Sequence, residues 1–205
     1  MSLFKKKIKF AQFVADEMKY QFDFIEKNFD KFIELDDEYK ALTLKDKEEI
    51  HSLVDVLILA DLFVGCSIHL SSRIASSDIG DIIGEIYISK YLNEYKKIGM
   101  KEIDEKNNKM LDFFDFFLNY REQREKDIEE RKKSGGHPVE IKNDAEKMQA
   151  DLCVAFAEYY TDKIASNQQK ETKQGRNFAA FKFAMAIVKT DLIGTSLREH
   201  TIDWS

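Results

Sequence analysis

Glu48 and His51 stand three residues apart as an E-x-x-H pair, and Asp55 follows one turn later. At helical spacing the three share a face, and carboxylate oxygens with an imidazole nitrogen are ligands for a first-row metal. Di-iron carboxylate bundles carry E-x-x-H on two helices and a Glu on each of two others. This chain has one E-x-x-H, half of that motif, so the pattern points first to a polar helix face and second to a metal. A second set lies deeper in the same segment: Asp61, His69 and Arg73, with Asp78, Asp81 and Glu85 just beyond. An unpaired charge in apolar surroundings is costly. These residues therefore predict either an internal network, such as Asp61 with Arg73, or a ligand or metal pocket between the two segments.

The element that must position both sets is the most apolar run in the chain, VDVLILADLFVGCSIHL from Val54 to Leu70. It is too long for an ordinary strand and apolar on every side, which predicts a buried helix over about 44–75. Asp55 and Asp61 interrupt it, which argues against a membrane span. Thr43 is suited to cap its start, with Asp46 in the first turn. The second such run, FAAFKFAMAIVKTDLIG, predicts another buried helix within about 176–199. Ser77 or Asp78 is expected to cap a third helix reaching about Lys97. Gly80 and Gly84 on it predict a close crossing against the Gly65 region.

Phe4, Ile8, Ala11, Ala15, Met18, Phe22, Ile25, Phe29 and Phe32 follow alternating steps of four and three. That seam predicts one amphipathic helix over 4–35, widened by Phe10, Val14 and Phe24 into a bundle-packing stripe. Residues 100–133 predict a long helix with a Phe-rich first half and a charged second half. Ser134 to Pro138 is the clearest break, a hairpin turn or a weak subdivision of an otherwise single domain over 1–205. Residues 139–169 resume a helix, and Ser166 to Arg176 is expected to be a loop or a frayed helix end. The sum is an all-α, single-domain bundle of about six mostly antiparallel helices.

Net charge of −6, a pI near 5.4 and a mean hydropathy of −0.46 argue against a general nucleic-acid face and for a soluble protein. Cys66 and Cys153 sit in apolar helical surroundings, which predicts reduced thiols and a cytoplasmic location. Residues 1–18 lack the apolar core of a secretory signal. The Lys- and Ile-rich, Pro-poor composition fits a prokaryotic or phage origin. Gly-rich phosphate loops, C-x-x-C pairs and a nucleophile elbow are all missing from the sequence, and no cofactor is implied.

Arg131 and His137, with five residues between them, resemble the Arg–His pair of the HEPN ribonucleases, which are also helical. Gly135 and Gly136 depart from the continuous helix that pair needs, and Lys132 follows the Arg. The likeness covers those two residues, and it would imply RNA cleavage. The reading the sequence favours is a non-enzymatic protein that binds another protein or itself. Its charged arm would carry the contact through Arg121, Arg124, Glu125 and Arg131. The competing reading is a metal- or small-ligand-binding bundle, with a polar site on the second and third helices.

Overall fold

The computed structural model describes residues 6–34, 37–40, 42–70, 72–135, 144–164, 170–188 and 190–204. The fold is all-α, with seven long helical stretches among those residues rather than about six. Helix α1 spans Phe10–Glu34, and α2 is a single turn, Asp37–Lys40. Helices α3 (Leu44–His51) and α4 (Val54–Leu70) form one stretch with a break at Ser52–Leu53. Helix α5 (Ser76–Ile86) runs into a π-helical segment, Tyr87–Lys96. Helix α6 is the longest at Met100–Lys133. Helix α7 (Asp144–Tyr159) ends in a π turn, Tyr160–Ile164. Helices α8 (Lys170–Ile187) and α9 (Thr190–Glu199) complete the set.

Helix α4 is the hub, packing against α1, α5, α6, α7, α8 and α9. Leu57, Ile58, Leu59, Ala60, Asp61 and Leu62 are all buried, as an all-round apolar helix requires. The 44–70 stretch is long and apolar enough by composition to cross a membrane, but 72 % of its most apolar window is buried against other helices. That arrangement is compatible with a soluble protein. Thr43 caps α3 as its type predicts. Thr43 Oγ1 accepts from the Asp46 amide at 3.2 Å, and Asp46 Oδ2 accepts from the Thr43 amide at 3.3 Å. Asp46 is buried, and its other oxygen accepts from the Tyr160 hydroxyl at 3.2 Å, tying the cap to α7.

Several boundaries differ from the sequence expectation. Lys6–Lys9 is a strand, not the first turns of α1. It pairs in parallel with His200–Asp203, Ile8 opposite Ile202 and Lys7 bonded to Asp203 at 3.0 Å. Ile8 falls on the apolar face in either conformation, so the seam alone does not separate the two. Ala11 is exposed, and the core face of α1 runs instead through Phe10, Phe13, Val14, Met18, Phe22 and Ile25. The side chains of Phe29 and Phe32 lie outside the described residues. The central helix ends at Leu70, whose carbonyl accepts from Arg73 and Ile74 amides. Ala75, rather than Ser77 or Asp78, holds the N-cap position of α5. The expected final helix is two, broken around Val188, and α8 already begins at Lys170, within the expected loop.

The glycine crossing is also placed elsewhere. A Cβ on Gly65 would lie 2.8–3.0 Å from three Ile193 side-chain atoms, so α4 meets α9 here with no room for a methyl group. One turn along, His69 lies over Gly194 in the same crossing. Gly80 faces Phe63 at ordinary distance, and Gly84 faces open space.

Candidate functional site

Among the described residues, polar groups converge in a cleft of about 600 Å³ between α1, the α3–α4 break, the π-helical segment and the start of α6. Each wall has a local cause. Ser52 Oγ donates to the Glu49 carbonyl, and the Ser52 and Leu53 amides bond back to Glu48 and Ile50. This closes α3 with a tight turn and places Asp55 in the first turn of α4. Opposite, the π-helical hydrogen-bond pattern joins i to i+5. That wider turn puts Tyr87, Tyr91, Leu92 and Lys96 on one side, at steps of four or five. The segment ends at Lys97, held at φ 54. Phe22 of α1 stacks on Tyr91 with ring centroids 3.8 Å apart, and Tyr87 continues the stack, 5.8 Å from Tyr91.

Polar chemistry gathers on Asp55. Its Oδ2 accepts from the Tyr87 hydroxyl at 2.7 Å and from Lys106 Nζ at 2.8 Å. The Asp55 and Lys106 side chains keep 20 % and 30 % exposure, so the pair stands at the cleft surface rather than inside the core. Tyr87 is buried, and burial, followed by the Asp55 charge, pushes its hydroxyl well above the usual tyrosine range. It therefore stays a neutral donor at any physiological pH. Lys96 lies over the Tyr91 ring at 5.6 Å and reaches Glu26 at 4.0 Å, adding an ionic rim to the aromatic wall. His51 and Glu102 complete the mouth.

Of the residues singled out from sequence, His51 and Asp55 line this cleft, while Glu48 is exposed and does not. Asp61 is fully buried, and its charge together with that of Glu17 acts on the Cys66 thiol. His69, Arg73, Asp78, Asp81 and Glu85 are exposed. The second and third helices thus do not gather Asp61, His69, Arg73, Asp81 and Glu85 into one site, because α9 fills the space beside His69. Among the described residues, no group of three or more His, Cys, Asp or Glu side chains is placed to hold a metal ion.

The charged arm is partly anchored. Arg124 pairs with Asp151 of α7, a carboxylate only 2 % exposed. Arg121 pairs with Glu125 along the helix at 3.4 Å. Arg131 is exposed, and its resemblance partner His137 lies outside the described residues.

Sequence reasoning missed Phe22, Tyr87, Tyr91, Lys96 and Lys106. Phe22 was read as core seam. Tyr87 and Tyr91 fit an ordinary helix as well as a π-helix, and Lys106 is 51 residues from Asp55. Comparison with family models, with curated proteins and with solved structures finds no match to this chain.

Proposed function

We propose that the protein is a non-enzymatic binding protein whose recognition site is the cleft around Asp55. The observation that carries this reading is the meeting of Tyr87 and Lys106 on one oxygen of Asp55, beside the Phe22–Tyr91 stack. Cleft volume and lining match ordinary ligand sites, which occupy roughly 300–1,000 Å³ and combine apolar walls with a few converging polar groups. A cytoplasmic setting suits the burial of both cysteines, Cys66 and Cys153.

The test is a thermal-shift screen of the full chain against pools of amino acids, carboxylates, amines and nucleotides. A ligand at 100 times its Kd adds about 2.7 kcal/mol, which raises Tm by about 5–10 °C for a chain of this size. The expected result is such a shift with one pool, lost in Tyr91→Ala. The reading fails if no pool shifts Tm, or if a shift persists unchanged in Tyr91→Ala.

A second reading keeps protein–protein recognition, favoured by the unbroken run of exposed residues 129–135 at and just past the end of α6. Reversing Arg131 to Glu should then abolish capture of a partner or self-association in size-exclusion and pull-down measurements. Reversing Arg124 would confuse the test, because its pairing with Asp151 makes it structural.

A further inference from the structure

Asp55 and Lys106 are bonded to each other, yet each has capacity to spare. Both hydrogen bonds to Asp55 fall on Oδ2, and Oδ1 takes none from any described residue. Lys106 Nζ carries three donors and uses one of them on Asp55 among the described residues. The cleft surface therefore presents an unspent anionic acceptor next to an unspent cationic donor, 2.8 Å apart across their own bond. A purely anionic ligand would satisfy Lys106 but face Asp55, and a purely cationic ligand would meet the reverse conflict. A molecule carrying an ammonium and a carboxylate on the same carbon meets both without opening the pair.

The rest of the lining fixes what that carbon should bear. Beside the pair, the lining includes Phe22, Ile25, Val54, Tyr91, Leu92 and Ile98, all apolar or aromatic. Flat rings gain most from such a wall, through offset stacking as well as burial. The ionic groups at the mouth are of both signs, with Glu26 and Glu102 against Lys96. They add no strong bias toward an ion of one sign.

We infer that the cleft binds a free α-amino acid with an aromatic side chain, its ammonium on Asp55 Oδ1, its carboxylate on Lys106 Nζ and its ring against Phe22 and Tyr91. This inference rests on the cleft being the binding site and names its ligand.

Isothermal titration calorimetry on the full chain tests it with three probes: L-phenylalanine, phenethylamine and 3-phenylpropionate. The two latter each lack one charge. L-Phenylalanine should bind at one site at least tenfold more tightly than either. Asp55→Asn should weaken L-phenylalanine and phenethylamine and, by removing the charge that faces it, tighten 3-phenylpropionate or leave it no weaker. Lys106→Gln should weaken L-phenylalanine and 3-phenylpropionate and tighten phenethylamine or leave it no weaker. Circular dichroism melts of both variants separate lost contacts from lost folding, and the probe comparison on the unaltered chain needs no variant at all. A single-charge probe that binds as tightly as L-phenylalanine, with Tyr91→Ala weakening it, overturns the amino-acid assignment and leaves the cleft as a binding site. Absence of binding by all three probes at millimolar concentration also overturns the assignment. The pooled thermal-shift screen then decides separately whether the cleft binds anything.

Discussion

Two glycines on neighbouring helices should respond to the same substitution with opposite sign. In Gly84→Ala the new methyl meets nothing within 4 Å, so the change contributes only its helix propensity, a gain of about 1 kcal/mol. In Gly65→Ala the same gain applies, but the methyl would sit 2.8–3.0 Å from Ile193 Cδ1, Cβ and Cγ2. Carbon atoms pack at about 3.5–4.0 Å, so α9 or the Ile193 rotamer has to give by more than half an ångström. Ile193 is fully buried, and overpacking in a close-packed core costs about 1–3 kcal/mol. Because the propensity term is common to both variants, the difference between them isolates that steric cost. Urea denaturation of wild type, Gly65→Ala and Gly84→Ala gives it directly. In thermal melts it appears as about 2–4 °C for each kcal/mol. Adding Ile193→Val to Gly65→Ala removes Cδ1, the nearest of the three atoms, and should recover part of the loss. A Gly65→Ala protein as stable as Gly84→Ala would refute the α4–α9 crossing.

Three further outcomes follow from buried groups. Arg124→Met should cost about 3 kcal/mol in denaturant unfolding, since it strands the buried Asp151 carboxylate, whereas Glu122→Ala on the exposed Glu122–Lys126 pair should change stability by no more than about 0.5 kcal/mol; equal effects would sink the anchoring role. Burial pushes the Cys66 thiol up to about 12, so thiol reagents should label it only at the rate of unfolding, and prompt stoichiometric labelling of Cys66 in native buffer would contradict its placement. Burial also raises the Glu17 carboxyl above its ordinary 4.5, against the Ser196 hydroxyl that donates to it. The folded state then holds its proton more tightly than the unfolded chain, so this group's contribution falls as pH rises from about 4.5 through the raised value. Glu17→Gln keeps an acceptor for Ser196 and removes the ionisation, so its Tm advantage over wild type should grow with pH across that window and then level off; a constant difference would show that Glu17 does not titrate there.

How much of this was legible in the chain depends on how local the cause is. Thr43 with Asp46 declares a cap by itself, because both partners lie within four residues and the bond geometry follows from the helix start. The burial of Val54–Leu70 is equally legible, since a helix apolar on all sides has no wet face to offer. The N-terminal strand is not. Ile8 is buried whether residues 6–9 continue a helix or pair with His200–Asp203, and the deciding partner lies at the far end of the sequence. The same logic governs the site. Asp55 could be picked out because it follows the E-x-x-H pair on one helix face, and a carboxylate so near the apolar run demands partners. Those partners, Tyr87 and Lys106, come from other helices and carry no local mark. Asp61 raised the same demand, but Arg73, its nearest sequence candidate, ends up exposed past the end of α4. The need for a partner is written where the charge is, and the partner is chosen by which helices pack together. The cleft therefore depends on the π-helical segment in particular. Steps of four and five bring Tyr91, Leu92 and Lys96 to one wall, and a 3.6-residue turn would carry Lys96 round toward another face.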